Sequence, residues 1–554
     1  MLALPDGCHN RMSWPRSVYY WLLLGLSLLV FLPGIAKLPV IDRDEAHFAQ
    51  ATRQMLQTNN YFQVRFQERT RFQKPPGINW LQAASVKLTG HGDNAGIWPY
   101  RLPSFLGALL SVLLTFAFAS RFVSRRTAWM AAALLASSLL LTVEAHMAVI
   151  DTSLLSSVLL MQGALWIIYE GVHAHRRISP VWPALFWLAM AYGLVLKGVT
   201  PLVGVLTVTA LCVTERGVAW LKALKIIPGL VLFSVLSLAW LWMLNQAEHS
   251  NYLMQMLNKD LLPKLQGGHE SHGQPPLFHL ALLPLTFWPA SLFLWQAGDY
   301  AFRHRHKSMV RFLLCWIIPT WVFFELMPTK LPQYVLPTFP AIALLAALAI
   351  EQGELFEAPG KWFRWLQGGW LLMSGCLLMA LAMIPRLLNL TMPLVSWLLV
   401  SMGFSLCVLA VYFARRGHYQ RTLVALILVA ATSYPLIFSQ LLPQLKPLWI
   451  TDAVAKSIPR QLLSSEKPLI VAGFDEPSLV FNLNTGLVRF SDSLTAQRRL
   501  KRNQVHLALV EAGTYQTWPD DGTVKRVATV RGYNYSKGRW VELLLVGHSD
   551  EVEG

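Results

Sequence analysis

Long apolar runs, separated by short polar or basic segments, make up most of the chain before about residue 444. A run of roughly 20 apolar residues is long enough to cross the hydrocarbon core of a bilayer as a helix. The first run ends at Pro33 and Gly34 without a small-residue cleavage site, so we interpret it as a spanning helix rather than a secretory signal. The pattern predicts about thirteen spanning helices, at residues 18–36, 102–122, 128–145, 152–170, 181–196, 199–214, 226–244, 277–297, 312–327, 334–350, 365–384, 393–413 and 422–441.

Clusters of basic residues follow every second predicted span. Lysine and arginine accumulate in the cytoplasmic loops of membrane proteins, so this spacing predicts a cytoplasmic N-terminus. An odd number of spans then places the end of the chain on the outer face. The six clusters are Arg121, Arg125 and Arg126; Arg176 and Arg177; Arg216, Lys222 and Lys225; Arg303, Arg305, Lys307 and Arg311; Lys361 and Arg364; and Arg415, Arg416 and Arg421.

Two polar loops lie on the predicted outer face. Residues 38–101 follow the first span, and residues 245–276 form the second loop. Within the first loop, residues 45–56 contain no glycine or proline and residues 76–88 begin with proline. Both stretches predict short helices, which we expect to lie at the membrane surface.

A polar tail follows the last predicted span. It contains strand-like runs separated by turn residues, which is typical of a small α/β domain. The sequence therefore predicts a membrane domain at residues 1–444 and a soluble domain at residues 445–554. The strand-like runs lie at 468–472, 505–510, 524–530 and 540–546.

The composition agrees with a membrane protein. Of 554 residues, 54% are hydrophobic and 14% are charged, against roughly 25% charged in soluble proteins. The net charge of +17 comes largely from short clusters between apolar runs, which indicates membrane topology and not nucleic-acid binding. No CxxC motif is present, so we interpret the cysteines as small core hydrophobes; they are Cys8, Cys212, Cys315, Cys376 and Cys407.

Three carboxylates cluster just after the first predicted span, in Asp42-Arg43-Asp44-Glu45. At a membrane surface such a cluster can supply a general base or bind a metal ion. The alternative is a solvated loop in which Asp44 caps the helix that follows.

Lys74 precedes two prolines and the start of a predicted helix. The prolines restrict the backbone, and a lysine beside a helix N-terminus favours the binding of an anion. The alternative is an interfacial lysine whose ammonium reaches out of the bilayer.

Further ionisable residues lie at outer turns between predicted spans. They are Asp151, Lys197, and Lys330 and Tyr334 in the segment KLPQYVLP at 330–337. Ionisable groups next to apolar sequence are costly to bury, so they are usually functional or paired. The topology puts them on the same side of the membrane as the first loop.

Together these residues predict a cleft on the outer face with acidic and basic walls and an apolar floor. The lysines and Arg53 would hold a phosphate, the apolar helices would accept a lipid chain, and a carboxylate would lie beside the reacting carbon. This arrangement suits an enzyme that uses a lipid-phosphate-linked substrate.

Four histidines lie in or beside the second outer loop: His249, His269, His272 and His279. Within this group, the segment His269-Glu270-Ser271-His272 would supply half of a metal site, but its spacing matches no helix-borne metal motif. A flexible glycine-containing loop is the alternative. No cofactor is therefore assigned with certainty, and a divalent metal ion is the one candidate.

The motifs resemble those of the polyprenyl-phosphate-dependent, GT-C-type glycosyltransferases. The likeness is closest to the bacterial aminoarabinose transferases that modify lipid A, whose relatives are the protein O-mannosyltransferases. His47 and Gln73 depart from the lipid A enzymes, which typically have an arginine and an acidic residue at these places. The matching elements are Asp44-Glu45 followed by Arg53, Lys74-Pro75, Asp151 at the start of a span, Lys197-Gly198 and KLPQYVLP at 330–337.

The resemblance implies a polytopic α-helical membrane protein of the bacterial inner membrane. It would have the GT-C fold and a small periplasmic α/β domain at its C-terminus. Asp44 would be the catalytic carboxylate at the reacting centre. The residues implied for donor-phosphate and substrate binding are Lys74, Arg53, Lys330, Tyr334, Lys197, Asp151 and Glu45.

The implied reaction is the transfer of one sugar, with inversion, from polyprenyl (undecaprenyl) phosphate to an acceptor at the periplasmic face. The implied partners are this donor, lipid A or another envelope acceptor, and membrane lipids. Two alternatives stay open. One is a transferase of the same fold that acts on protein or another envelope glycan. The other is a lipid or sugar transporter, for which internal repeats and ionisable groups near the bilayer midplane are typical.

Overall fold

The computed structural model describes most of the chain. Gln73, His249, His269 and His272, which the sequence analysis names, lie outside the described residues. The described residues are 14–71, 74–92, 95–248, 254–255, 258, 262, 274–353, 361–519 and 522–549.

Helices form the larger part of the described chain. Short 3₁₀ or π turns lie between some of them, at Ala219–Leu224, Ala290–Phe293, Pro332–Thr338 and Ile437–Leu441. The helices that precede residue 442 are α1 (Arg16–Phe31), α2 (Asp44–Thr58), α3 (Gly77–Leu88), α4 (Trp98–Ala119), α5 (Arg125–Ala136), α6 (Leu139–Ala145), α7 (Asp151–His173), α8 (Val181–Leu196), α9 (Thr200–Glu215), α10 (Ile226–Glu248), α11 (Phe278–Thr286), α12 (Leu294–Arg303), α13 (Ser308–Leu326), α14 (Phe339–Gln352), α15 (Lys361–Leu387), α16 (Leu394–Arg415) and α17 (Tyr419–Leu436).

Many of these helices suit a bilayer. Among the described residues, eight helical segments are long and apolar enough to cross it: α4, α7, α10, α13, α15, α16, Pro332–Gln352 and Tyr419–Gln444. Two further pairs are bent, α5 with α6 by 62° and α11 with Ala290–Arg303 by 113°, and α1, α8 and α9 are shorter apolar helices. The polytopic helical fold is confirmed. The count of thirteen stays a prediction, because each bent pair and short helix can be counted in more than one way.

The two bent pairs meet inside the membrane domain. The backbone amide of Leu139 donates a hydrogen bond to the carbonyl of Trp288 (2.8 Å). The hydroxyl of Tyr434 lies 2.8 Å from the carbonyl oxygen of Ser137 and 2.9 Å from that of Trp288. Backbone groups freed by a helix break need such partners in an apolar interior. The break lets α6 change direction and leads the chain to Glu144, near the start of α7.

Both helices predicted in the first loop are present, as α2 and α3. A buried network joins them: Asn79 donates to Thr52 Oγ1 (2.9 Å), Thr52 donates to Gln82 Oε1 (2.7 Å), and Gln82 donates to the carbonyl of Ala148 (3.1 Å). Ten of the fifteen residues of α2 are buried. The helix is therefore enclosed by protein and does not lie on the bilayer surface. A two-stranded hairpin follows it, β1 (Arg65–Phe66) and β2 (Arg69–Thr70).

The tail contains a five-stranded sheet with strand order β4-β3-β5-β7-β6. Strand β3 is parallel to β4 and β5, whereas β7 is antiparallel to β5 and β6. Short helical turns lie at Leu442–Gln444, Lys446–Leu448, Arg460–Leu462 and Thr485–Leu487. The other elements of the tail are α18 (Ile450–Ser457), β3 (Leu469–Ala472), α19 (Pro477–Leu483), β4 (Val488–Phe490), α20 (Ser493–Lys501), β5 (Leu507–Glu511), α21 (Ala512–Tyr515), β6 (Val524–Asn534) and β7 (Arg539–His548).

Side chains on both faces of this sheet are buried. Along β3, Leu469 and Val471 belong to one apolar cluster, and Ile470 and Ala472 belong to another on the opposite face. Continuous apolar runs of this kind are expected when both faces are covered. The strands β3, β5, β6 and β7 lie where the sequence predicts strands. The sequence pattern misses β4, which has only three residues with Arg489 at its centre. The boundary at residue 444 stays a prediction.

Candidate active site

A lysine and an aspartate from neighbouring helices form the centre of the site. Helix α8 ends at Leu196, and Lys197 follows in an extended conformation. Its Nζ donates a hydrogen bond to Oδ1 of Asp151, the first residue of α7, at 2.9 Å. The same ammonium lies 4.8 Å from the ring centroid of Tyr334, within cation–π range. The structure thus brings together three residues that the sequence predicts for the site.

Glu144 joins this group, although the sequence analysis did not select it. It lies on α6, after the helix break, and is 6% exposed. Its carboxylate interacts electrostatically with Asp151, Lys197 and Asp44. The sequence analysis assigned this stretch to an apolar span. The missed signal was an ionisable residue inside an apolar run, which usually marks a functional site.

Asp44 is the exposed member of the group. It is the first residue of α2 and is exposed. Arg43 before it has φ of 71°, a left-handed conformation that non-glycine residues rarely adopt, and its Nε lies 3.8 Å from a carboxylate oxygen of Glu476 in the tail. We call Asp44, Glu144, Asp151, Lys197 and Tyr334 the carboxylate–lysine cluster.

The segment that carries Lys74 approaches the same corner of the molecule. Lys74 is half-buried and lies three residues before the start of α3. A Cβ atom added to Gly77 would lie 2.5 Å from the carbonyl oxygen of Val195. Glycine is therefore required for this close approach. The contact holds the start of α3 against Val195, which precedes Lys197 by two residues in the sequence.

Lys330 and the histidine behind it hold the KLPQYVLP segment. Lys330 is buried and donates from Nζ to the carbonyl of Gln274 (2.9 Å). His279 is buried beneath it, with Nδ1 3.1 Å from Glu325 Oε2 and Nε2 3.0 Å from the carbonyl oxygen of Leu331. His279 therefore orients this segment, a role that the sequence analysis did not assign to it.

Glu45 is occupied by structural contacts. Its carboxylate accepts two hydrogen bonds from the Arg101 guanidinium, at 2.7 and 2.8 Å, and one each from the backbone amides of Ile41 and Ala148. The side chains of Glu45 and Arg101 are both 0% exposed. This geometry fixes the start of α2 and buries the carboxylate completely.

Arg53 points toward the tail and not toward the carboxylate–lysine cluster. It is buried, with hydrogen bonds to the carbonyl oxygens of Phe481 and Ala95 (2.7 Å to the latter), and its guanidinium lies over the Phe481 ring at 3.8 Å. Arg53 and Asp44 both belong to α2, as the sequence predicts, but their side chains lie on different sides of this helix. Its contacts join α2 to α19.

Asp42 forms a second contact between the first loop and the tail. Its carboxylate accepts a hydrogen bond from the backbone amide of Ser478 (3.0 Å), and its own amide donates to the Tyr535 hydroxyl (2.8 Å). Burial, with a smaller contribution from the nearby carboxylate of Glu476, raises the pKa of Asp42 to about 7, against the lowering effects of the Ser478 hydrogen bond and Arg43. The neutral acid is therefore stabilised when the tail is docked.

We expect this contact to weaken as pH rises from about 4 to about 7. In that interval the docked carboxyl keeps a proton that the free group, with its ordinary pKa of 3.8, has lost. Stability therefore falls with rising pH. The variant Asp42→Asn, neutral at every pH, should match the parent protein near about pH 4 and unfold at a higher temperature near about pH 8. Asp452→Asn, at an exposed ion pair, is the control; identical pH dependence in parent and Asp42→Asn proteins would contradict the expectation.

His47 does not supply the positive charge that the lipid A enzymes have at this place. Burial, together with the nearby charges of Arg71 and Arg43, lowers the pKa of His47 to about 3. Its ring packs against Phe66 of β1 at 4.6 Å between centroids. It is therefore a neutral packing residue at ordinary pH.

No group of three or more histidine, cysteine, aspartate or glutamate residues suited to a metal ion is found within the described ranges. His279, the described histidine of the second loop, is already held by Glu325 and Leu331. The question of a metal ion therefore stays as the sequence analysis leaves it.

The region that carries most of the cluster matches a known family. Residues 73–242 match the family model for dolichyl-phosphate-mannose-protein mannosyltransferase. This range contains Lys74, Glu144, Asp151 and Lys197. A relative from Pseudomonas fluorescens, undecaprenyl phosphate-alpha-4-amino-4-deoxy-L-arabinose arabinosyl transferase 2, is 26% identical over 502 residues, which cover 88% of this chain and 84% of that protein.

Solved structures show the same fold over nearly the whole chain. The crystal structure of ArnT from Cupriavidus metallidurans in the apo state matches with a TM-score of 0.74 and 19% identity, covering 95% of this chain and 98% of that one. This chain has the GT-C fold and is similar to these glycosyltransferases. ArnT bound to undecaprenyl phosphate matches with the same TM-score and coverage, at 18% identity.

The sequence left open whether the protein is an enzyme or a transporter, and the similar proteins are enzymes. The glycosyltransferase is a multi-pass inner-membrane enzyme, and the transporter alternative is not supported. The resemblance seen in the motifs is thereby confirmed. The individual roles of the cluster residues stay proposals.

We expect His279→Phe to lower the kcat/KM of sugar transfer on the order of tenfold. The phenyl ring keeps most of the packing volume but loses the hydrogen bond to Leu331, so the KLPQYVLP segment is held less firmly. Transfer assays on purified protein, with the unfolding temperature measured in parallel, test this. His304→Phe, at the far end of α12, is the matched control; an equal loss in both variants would contradict a positioning role.

Proposed function

We propose that this GT-C glycosyltransferase transfers 4-amino-4-deoxy-L-arabinose from undecaprenyl phosphate to lipid A, with inversion at the anomeric carbon. The P. fluorescens relative has this donor in its name, and the similar ArnT was crystallised with undecaprenyl phosphate. In the chain itself, the observation that carries the proposal is that the carboxylate–lysine cluster contains three carboxyl groups and one lysine.

Two carboxylates in the cluster, those of Glu144 and Asp151, interact with the ammonium of Lys197, and the third, that of Asp44, interacts with Glu144. Among the described residues, Lys197 donates a side-chain hydrogen bond to Asp151 and none to Asp44 or Glu144. Buried charges are costly unless they are compensated. A sugar that carries an ammonium group would supply the missing positive charge, whereas a neutral hexose would leave the carboxylates uncompensated.

We assign the donor phosphate to the lysines beside the cluster. Lys330 donates to a backbone carbonyl, which is neutral, so its positive charge is available to a phosphate. Lys74 lies three residues before Gly77, which packs against the backbone of Val195, two residues before Lys197 in the sequence. We assign Arg53 to docking of the tail and Glu45 to positioning of α2, in place of the substrate contacts expected from the sequence.

The proposed reaction is a direct displacement. An acceptor oxygen attacks the anomeric carbon as undecaprenyl phosphate leaves, through a transition state with oxocarbenium character. Asp44, the exposed carboxylate, acts as base for a hydroxyl acceptor, or orients a phosphate acceptor. The buried carboxylates of Glu144 and Asp151 stabilise the positive charge on the sugar, and the lysines stabilise the leaving phosphate.

We place the N-terminus in the cytoplasm and the cluster and tail in the periplasm. The six basic clusters at alternate span ends support this orientation. We also take residues 1–444 and 445–554 as the membrane and soluble domains. Alkaline phosphatase fused after Ser549 should be active in cells, and a fluorescent protein at the same place should be dark. The reverse result would overturn the orientation.

Mass spectrometry of envelope lipids from cells with and without the gene tests the function. Lipid A that carries the amino sugar should be present only when the gene is present. Labelled sugar that accumulates in protein would instead support protein O-glycosylation, which the match to the mannosyltransferase family model favours as the second candidate. Unchanged lipids and proteins would overturn both.

We expect Glu144→Gln to reduce the preference for an amino sugar over its neutral N-acetyl analogue by on the order of tenfold. The substitution keeps the shape of the side chain but removes the ionisable carboxyl group, whose charged form the proposed ammonium would stabilise. Competition between the two donors in a transfer assay measures the preference. Glu351→Gln, at an exposed residue that contacts Ser124, should leave this donor preference unchanged. An unchanged preference in Glu144→Gln would contradict a role for the Glu144 charge in recognising the amino sugar.

A further inference from the structure

A cavity lies at the end of α7 that is far from the carboxylate–lysine cluster. Helix α7 begins at Asp151 and has 23 residues, so its two ends are about 33 Å apart. The cavity has a volume of about 530 Å³. Val172, Ile178, Pro183 and Ala223 give it an apolar wall, and Arg176 and Lys225 stand at its rim.

The two cations at this cavity lack protein counter-charges. Within the described part of the chain, neither Arg176 nor Lys225 has a side-chain hydrogen bond or ion pair, and both are exposed. Two other basic residues on this side of the molecule have partners: Arg121 stacks on Trp182 at 4.9 Å, and Arg311 pairs with Glu215 at 3.1 Å. The cavity therefore presents two available positive charges above an apolar wall.

The surface beside the cavity is suited to acyl chains. Val181 at the start of α8 is 62% exposed, and Ile227 and Val231 at the start of α10 are 78% and 59% exposed. Only 17% of the apolar window of α10 is buried inside the protein. In a membrane protein such a surface faces lipid, so a ligand in the cavity would have apolar chains on one side of it and cations on the other.

We propose that this cavity binds the headgroup of an anionic phospholipid, whose acyl chains lie along α8 and α10. The phosphate would lie between Arg176 and Lys225, and its glycerol would lie against the wall formed by Pro183 and Ala223. Both α8 and α10 begin here, so the positive ends of their dipoles add to the attraction. The site is separate from the donor site, because it lies at the other end of α7.

Native mass spectrometry of the full chain tests the proposal. The protein is mixed with equal amounts of phosphatidylglycerol and phosphatidylcholine, and the retained lipid is measured. The parent protein should retain phosphatidylglycerol selectively. The double variant Arg176→Gln/Lys225→Gln should retain it on the order of tenfold less, because each basic residue near an anionic headgroup contributes several-fold in affinity.

The matched control is Arg177→Gln/Lys222→Gln, which removes the same charge from exposed neighbours that do not line the cavity. It should retain phosphatidylglycerol like the parent protein. Equal losses in the two double variants, no preference over phosphatidylcholine, or displacement of the lipid by inorganic phosphate alone would each overturn the proposal. If Arg176→Gln/Lys225→Gln does not fold, Ala223→Phe replaces it: filling the cavity without a change of charge should release the lipid, and full retention would overturn the proposal.

Discussion

Lys197→Met should lower kcat/KM for sugar transfer by about 10²–10³-fold, the loss seen when one preorganised charge-stabilising donor is removed from an active site. Lys197 bonds Asp151 at 2.9 Å and lies over Tyr334. Methionine retains much of the chain length but leaves the neighbouring carboxylates without their cation. Their repulsion would open the corner between α7 and α8.

The measurement is single-turnover transfer with purified protein and lipid-linked donor, which separates the chemical step from donor binding. Lys222→Met, an exposed lysine outside the cluster, is the control and should retain the parent rate. A Lys197→Met protein that folds normally and keeps a rate within about threefold of the parent protein would contradict a central role for this lysine.

Glu45→Ala should destabilise the protein by about 3–5 kcal/mol, because it leaves the buried Arg101 guanidinium without its carboxylate. Both side chains are 0% exposed, and Arg101 also donates to the carbonyl oxygens of Ile35, Leu38 and Pro39. Those neutral acceptors do not compensate the charge. Thermal unfolding in detergent, together with the yield of monodisperse protein, measures the loss.

Two variants sharpen this test. Asp299→Ala breaks an exposed pair with Arg303 and should change stability by less than about 1 kcal/mol. The double variant Glu45→Leu/Arg101→Met replaces the buried pair by apolar groups and should recover part of the stability lost in Glu45→Ala. A Glu45→Ala protein as stable as Asp299→Ala would contradict the structural role assigned to Glu45.

The sequence predicts which residues come together at one end of the helices better than the direction in which each side chain points around a helix. The hydrophobic pattern identifies the polytopic fold, and the topology groups Asp151, Lys197 and Tyr334 on one side, where the structure brings them into contact. Hydropathy carries no information on which way a side chain points. Arg53 and Glu45 therefore sit on the predicted helix but face the tail and Arg101.

Two features of the site depend on tertiary structure that the sequence pattern does not report. Glu144 reaches the cluster because α5 and α6 meet at a bend of 62°, whereas the apolar run reads as one straight span. His279 orients the KLPQYVLP segment through contacts with Glu325 and Leu331, which lie about fifty residues away in sequence. The short strand β4 is missed because three residues are too few for an alternating pattern.

The tail's contacts with α2 have a consequence for the order of events during synthesis. Arg53 contacts Phe481, Asp42 contacts Ser478 and Tyr535, and Gln57 bonds Asn484. All of these partners leave the ribosome after every spanning helix. The helix that begins with Asp44 is synthesised early, but its contacts with the tail form last. A nascent or truncated chain would therefore be inserted in the bilayer but would be unable to turn over substrate.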